Sequence, residues 1–152
     1  MLVYTSVDGE PWRAGVTSPP QLRETVVRHP VALRYDIDPG RRLTTITGEY
    51  AAPEEWAALL GAVLVDPEWQ PGFAFLRDLR DATTPVDAAT VIRIMDVVKQ
   101  FWPLLRPTRA AILTPREFDP AVMTAHALAD TDGLPVRMFS TIETALEWLT
   151  GT

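Results

Sequence analysis

The sequence lacks cysteine altogether, which excludes disulfides, thiolate metal ligands and thiol nucleophiles. Histidine is scarce as well, because only His29 and His126 occur in the 152 residues. A zinc site needs three or four clustered ligands, so this pair predicts no metal centre. The chain also has no Walker loop, no dinucleotide-binding glycine motif and no Gly-x-Ser-x-Gly elbow. We therefore expect neither a metal nor a cofactor, and we expect that the protein is not an enzyme.

Positive charge is also in short supply. The 14 lysines and arginines face 20 aspartates and glutamates, which gives a net charge of −6. A nucleic-acid binder needs a basic face to neutralise phosphates, and docking on anionic lipids needs basic residues too. No hydrophobic run reaches the roughly 20 residues of a membrane-spanning helix, and residues 1–8 lack the features of a signal peptide. The composition thus predicts a cytoplasmic protein without a nucleic-acid partner and without membrane insertion.

What the sequence does contain is enough apolar material for one core. Hydrophobic residues make up 47% of the chain, and its length fits a single domain. Glycines and prolines interrupt residues 1–30, so we predict an irregular N-terminal extension there, with at most a strand over 2–7 and a helical turn after Ser18. The domain itself is expected over residues 31–152.

An antiparallel hairpin is expected at the start of this domain. Apolar and polar residues alternate from Val31 to Ile37, which is the period of a half-buried strand. Asp38-Pro39-Gly40-Arg41 favours a turn, because proline presets φ and glycine supplies the left-handed position. The stretch 43–47 is rich in β-branched residues and would form the second strand.

Strands and helices then alternate to the end of the chain. Phe73-Ala74-Phe75-Leu76 is an apolar run typical of a central strand, and Arg77 to Asp81 would take this strand to the surface. The predicted helices cover 53–64, 85–102, 120–129 and 141–149, and the predicted strands cover 73–79, 109–113 and 136–139. The order β-β-α-β-α-β-α-β-α predicts an α/β fold: a mixed β-sheet with an antiparallel hairpin and parallel βαβ crossovers, with helices packed on the sheet.

Local signals also set the ends of two helices. Thr84 has the pattern of an N-cap for the helix over 85–102, and Pro103 would end that helix. Ser140 and Glu143 have the spacing of a capping box for the last helix. Leu146 and Leu149 fall on one face of that helix, so we expect them to dock it on the sheet.

Several segments together carry a resemblance to a known family. They are the hairpin, the strand ending in Asp78-Leu79-Arg80-Asp81, the segment Arg109-Ala110-Ala111-Ile112-Leu113, and the closing Val136-Arg137-Met138-Phe139 with Ala145-Leu146-Glu147-Trp148-Leu149. Over residues 31–149 the chain resembles the bacterial SpoIIAA-like family, whose fold is related to STAS domains. Better-known STAS relatives carry a phosphorylatable hydroxyl in an Asp-Ser-Ser-Gly-like motif, whereas Asp81-Ala82-Thr83-Thr84-Pro85 keeps hydroxyls without that motif. The resemblance implies a STAS-like regulatory or protein-interaction module.

The candidate binding site lies where two parallel strands are expected to end. Ligands of open α/β sheets bind beyond the carboxyl ends of such strands, and a helix N-terminus there offers free amides to an anion. The polar residues that follow the two strands are Arg80, Asp81, Thr83, Thr84, Thr114 and Arg116. Either these residues form a rim that binds a ligand or partner, or Thr84 is only a helix cap while Arg80 and Asp81 form solvated ion pairs.

Three functions are compatible with this fold, and the third of them is a small hydrolase or transferase. In the first, the protein binds a protein partner or a second copy of itself; we expect a homodimer, with Ile92 and Met123 contributing to an exposed contact surface. In the second, it carries or senses a small apolar, lipid-like ligand. The discriminating feature is a pocket between helices and sheet, lined by Phe75, Met95, Trp102 and Leu128. Such a pocket would favour the carrier, and a fully packed core would favour the interaction module.

Overall fold

The computed structural model describes residues 33–116 and 119–151 of the chain. The predictions for residues 1–30, and the start of the first strand at Val31, lie outside the described residues. Within them, five strands and four helices follow one another in the predicted order β-β-α-β-α-β-α-β-α. Over the same residues, no helix combines the length and the apolar character that crossing a membrane requires.

The strands form one mixed sheet. They are β1 (Leu33–Asp38), β2 (Leu43–Gly48), β3 (Ala74–Asp78), β4 (Ala110–Leu113) and β5 (Val136–Phe139). They lie side by side in that order. β1 pairs antiparallel with β2, and every later neighbour pairs parallel. The predicted mixed α/β sheet is thus confirmed, and β3 occupies the predicted central place.

The helices connect or follow these strands. They are α1 (Pro53–Leu64), α2 (Ala88–Leu105), α3 (Pro120–Thr131) and α4 (Ile142–Thr150). α1 begins with proline at a first-turn position, where its missing amide has no intrahelical partner to lose. α3 begins after Asp119, whose Oδ1 accepts a hydrogen bond from the amide of Ala121 at 3.0 Å. Both starts agree with the sequence patterns.

The start of α2 differs from the prediction. The N-cap is Asp87 rather than Thr84, and its Oδ1 accepts a hydrogen bond from the amide of Thr90 at 2.8 Å. Aspartate is at least as good a cap as threonine, so either residue satisfies the local rule. The helix therefore begins at Ala88, and the junction that precedes it is longer than expected.

The end of α2 differs as well. The helix passes Pro103 and continues to Leu105, although a proline removes one amide hydrogen bond and crowds the carbonyl four residues before it. The amide of Arg106 bonds to the carbonyl of Trp102 at 2.7 Å, and Arg106 adopts a left-handed conformation with φ 45° that closes the helix.

Two further local predictions were wrong by one or two positions. The cap of α4 is Thr141 rather than Ser140, since the hydroxyl of Thr141 accepts a hydrogen bond from the amide of Thr144 at 3.3 Å. In the hairpin turn the left-handed residue is Arg42, with φ 55°, rather than Gly40. Both shifts leave the elements themselves in place.

The sheet has two faces that receive alternate side chains of each strand. We call the side covered by α4 the single-helix face, with the buried residues Leu43, Ala74, Leu76, Ala111, Leu113, Ala145 and Leu149. We call the other side the three-helix face, because residues of α1, α2 and α3 cover it. Its buried members include Leu33, Ile46, Trp56, Leu60, Val63, Phe75, Val91, Ile94, Met95 and Ala129. The candidate site lies at the carboxyl ends of the strands, above the three-helix face.

Candidate functional site

The predicted free amides at the β3–α2 junction are already occupied by a carboxylate. Glu49, which follows β2, accepts hydrogen bonds from the amides of Thr83 and Thr84, each at 2.8 Å, and from the hydroxyl of Thr83 at 3.0 Å. The hydrogen bonds from the Thr84 and Thr83 amides lower the pKa of Glu49. An external anion would therefore have to displace an internal one at this junction.

The charged residues of the same junction also have internal partners. Arg80 forms a double hydrogen bond with Asp78, with Nη2 at 2.8 Å from Oδ2 and Nε at 3.0 Å from Oδ1. Burial opposes ionisation of Asp78, but the hydrogen bonds from Arg80 outweigh it and lower the pKa of this carboxyl. Asp81 is exposed. Arg80 is thus paired within the rim, with Asp78 rather than with its neighbour Asp81.

The β4–α3 junction holds a second polar group. Thr114 is buried, and its hydroxyl accepts a hydrogen bond from the amide of Arg116 at 3.3 Å. The Nη2 atom of Arg116 lies 2.9 Å from Oδ2 of Asp119, and the same oxygen accepts a hydrogen bond from the hydroxyl of Tyr50 at 3.2 Å. Burial, the charge of Asp119 and this hydrogen bond raise the pKa of Tyr50 to about 12.

All six predicted rim residues lie at the carboxyl edge of the sheet, in these two junctions. The structure records no direct bond between the two junctions among these six. They are joined by two neighbouring residues, because Glu49 contacts the first junction and Tyr50 the second. Sequence reasoning missed this pair. The available signal was its position, since Glu49 and Tyr50 directly follow β2, whose carboxyl end lies at the same edge.

A cavity of about 140 Å³ lies below this rim, between the three-helix face and α1, α2 and α3. The sheet residues in its lining are Ile46, Phe75, Arg77, Ala110, Ala111, Ile112 and Val136. Of the residues expected to line such a pocket, Phe75, Met95 and Trp102 do so. Leu128 does not; it packs beside Val91 and Met95 in the cluster between α2 and α3. The core on this face is therefore not fully packed.

Arg77 is the one charged residue among the described residues that line the cavity. The sequence predicted that it would lead to the surface, but it is half-buried, because it alternates with Phe75 and so faces the same side of the sheet. Its Nη1 and Nη2 donate hydrogen bonds to the carbonyls of Gly48 and Glu49 at 3.1 and 2.9 Å. Burial lowers the pKa of Arg77 to about 10, so it remains protonated at neutral pH.

Aromatic rings enclose this guanidinium. Its central carbon lies 5.2 Å from the ring centroid of Trp56 and 5.9 Å from that of Tyr50, both within the range of cation–π attraction. Both rings also line the cavity. Trp56 is buried, and its Nε1 has no hydrogen-bond partner among the described residues. The end of the cavity nearest the strand ends thus combines one cation with unused donor capacity.

The chemistry open to this site follows from the groups that the described residues bring to it. Within residues 33–116 and 119–151, no group of three or more His, Asp or Glu side chains is placed to hold a metal ion. The rim hydroxyls of Thr83 and Thr114 bond to Glu49 and to the amide of Arg116, and neither has a histidine as partner. The fold and site together define a mixed α/β protein with an apolar cavity that ends at an arginine.

Comparison with known proteins adds no relative: no protein-family model, no curated protein and no solved structure matches the chain. The likeness to the SpoIIAA-like family therefore stays a prediction, as does the assignment of a STAS-like fold beyond the mixed α/β sheet.

Proposed function

We propose that the protein binds a small apolar ligand in the cavity between the three-helix face and its helices. The cavity itself is the observation that carries this proposal. Protein interiors are normally filled as tightly as organic crystals. Side chains that line an apolar pocket lack partner atoms on one side, and a ligand that fills the space supplies those contacts.

The volume limits the size of the ligand. A cavity of about 150 Å³ lined by aliphatic and aromatic side chains holds one benzene ring, whereas drug-sized ligands occupy roughly 300–1,000 Å³. At about 140 Å³, this cavity fits an aromatic ring or a short branched chain. It is too small for an entire lipid, so the expected lipid-like ligand is limited to a molecule about the size of one aromatic ring or one short branched chain.

The alternative of a protein-interaction module has less support. Ile92, Leu104 and Met123 are exposed, at 45%, 57% and 47% of their surface. Singly exposed apolar side chains are ordinary on protein surfaces and do not by themselves mark an interface. The expected protein partner and homodimer therefore stay predictions, as does the cytoplasmic location.

Binding of toluene tests the proposal directly, since this hydrocarbon has the size of the cavity and no polar group. At about 100 times its Kd, toluene should raise the free energy of unfolding by about 2.7 kcal/mol, measured by urea denaturation. Backbone NMR shifts should cluster at residues of α1, α2 and α3 that line the cavity.

Two variants on α3 provide the matched comparison. Ala125 lines the cavity, so Ala125→Leu should fill much of it and abolish toluene binding. Ala127 is exposed on the same helix and does not line the cavity, so Ala127→Leu should leave binding unchanged. If toluene fails to bind the parent protein, or binds both variants equally, the cavity is not a ligand site.

A further inference from the structure

Arg77 holds a charge that the described residues do not neutralise with an ion pair. No carboxylate lies within ion-pair distance of its guanidinium in the part of the chain that the structure describes. Its two recorded hydrogen bonds go to backbone carbonyls. A guanidinium has more N–H donors than these two carbonyls use, and a half-buried cation without a counter-charge is unfavourable.

The nearby carboxylates are bound to other groups. Burial lowers the pKa of Arg77, and the negative charges of Asp78 and Glu49 nearby partly oppose that shift. However, Glu49 accepts hydrogen bonds from Thr83 and Thr84, and Asp78 is paired with Arg80. Among the described residues at this end of the sheet, Arg77 is therefore the arginine whose guanidinium has no paired carboxylate and can meet an external anion.

The cavity walls restrict where the anion can sit. Apart from Arg77, the described lining residues carry no charge, so the body of a ligand inside the cavity must be apolar. Arg77 lies near the carboxyl end of β3 and bonds to the backbone at the end of β2, which places its guanidinium at the strand-end side of the cavity. A charged group at that side can meet Arg77 while the apolar body stays inside.

We propose that the ligand is a small monocarboxylate with an aromatic or short branched body, whose carboxylate pairs with Arg77. This inference rests on the proposed function. The planar fork of a guanidinium matches the two oxygens of a carboxylate. A single negative charge suits the site better than a dianion, because Arg77 balances one negative charge while the nearby carboxylates of Glu49 and Asp78 repel any excess.

The test uses ligands that differ only in charge. Phenylacetate and 3-phenylpropanoate are titrated by calorimetry beside their neutral amides, with toluene as the uncharged reference and phenyl phosphate as the dianion. In the parent protein, at least one acid should bind about tenfold or more tightly than its amide, as expected for a charge-assisted hydrogen-bonded pair. Phenyl phosphate should bind more weakly than that acid.

Two substitutions on the sheet separate the role of Arg77 from the general charge of the protein. In Arg77→Met the preference for the acid over its amide should vanish while toluene still binds. Arg34 is exposed on β1 and points to the opposite face from Leu33, so Arg34→Met removes the same charge away from the cavity and should keep the preference.

The outcomes distinguish the two proposals. If toluene binds but neither acid is preferred to its amide, or phenyl phosphate binds most tightly, the carboxylate inference is wrong and the apolar site remains. If neither toluene nor either acid binds, the proposed function itself fails. Should Arg77→Met not fold, the acid–amide comparison in the parent protein still decides the inference.

Discussion

The two faces of the sheet are built from the same strands but packed differently. On the single-helix face, small and branched residues such as Ala111 and Leu113 meet Ala145 and Leu149 of α4 and are almost fully buried. The three-helix face contains the cavity and the half-buried Arg77. Since both faces share the same strands, the difference arises from the side chains that point to each face and from the helices that cover it.

Unsatisfied polar atoms follow the same division. Among the described residues, the buried side-chain atoms without a hydrogen-bond partner are Oγ1 of Thr44 and Nε1 of Trp56 and Trp69. Trp56 and Trp69 belong to the core of the three-helix face, and Thr44 shares its side of β2 with Ile46. Natural proteins tend to break packing and hydrogen-bonding rules at functional sites, so this concentration supports a binding role for the three-helix face.

The largest expected effect comes from a substitution that disrupts the closed packing of the single-helix face. Leu149→Ala should destabilise the protein by about 2–5 kcal/mol, because it removes buried methyl groups and leaves a new cavity. Leu149 is only 7% exposed, whereas Leu146 is half-buried, so Leu146→Ala should cost less. Urea denaturation measures both. Equal changes, or a change below about 0.5 kcal/mol for Leu149→Ala, would mean that α4 is not docked as described.

A smaller effect comes from two adjacent residues of β4 that point to opposite faces. Ala111 is also among the residues that line the cavity, but its side chain packs in the buried cluster under α4, so Ala111→Val should overpack that face and destabilise by about 1–3 kcal/mol. Ala110 lines the cavity, so Ala110→Val has room and should be neutral or stabilising by about 0.5–1 kcal/mol. Because both variants replace alanine with valine on the same strand, the change in β-propensity is similar in the two and does not account for a difference between them. Destabilisation of equal size in both variants would remove the distinction between the faces.

The smallest effect concerns pH and the rim above the three-helix face. The pKa of Glu49 is lowered from 4.5 in the folded state, so its stabilising contribution is present above about pH 4.5 and is lost as pH falls through the folded-state pKa. Glu49→Gln should therefore be less stable than the parent at pH 7, and the difference should shrink towards pH 3. Urea denaturation at several pH values measures this convergence.

Glu147 on α4 serves as the control for that measurement, because its exposed carboxylate bonds to none of the described residues. Glu147→Gln should change stability little at any of these pH values. A Glu49→Gln variant that runs parallel to the parent across the range would show that the bonds to Thr83 and Thr84 do not depend on the charge of Glu49.

Periodicity predicted the elements of this fold because it is a local property of the chain. The apolar run from Phe73 to Leu76 was enough to place β3 in the centre of the sheet. The same reasoning named Phe75, Met95 and Trp102 as inward residues, and they line the cavity. That the space between them is left open depends on distances between elements, which no local pattern contains.

The errors at the rim have a different cause. Thr84 and Asp87 are both good cap residues, so the local pattern could not choose between them. The conformation at Thr84 also depends on Glu49, which lies 35 positions earlier in the chain and accepts a hydrogen bond from the amide of Thr84. Arg77 was expected at the surface because it is charged, although alternation with Phe75 already indicated an inward position. Charge and periodicity disagreed at this residue, and periodicity was the better guide.

The adjacent residues Glu49 and Tyr50 also bear on the order in which the chain folds. Glu49 bonds to residues 34 and 35 positions further along the chain, and Tyr50 bonds to one 69 positions away. Each of these bonds closes a long loop, and closing that loop costs chain entropy before the bond can form. Contacts between residues far apart in sequence also slow folding. We therefore expect the rim to close only after β2, β3 and β4 have aligned, which would make the proposed ligand site one of the last parts of the molecule to be assembled.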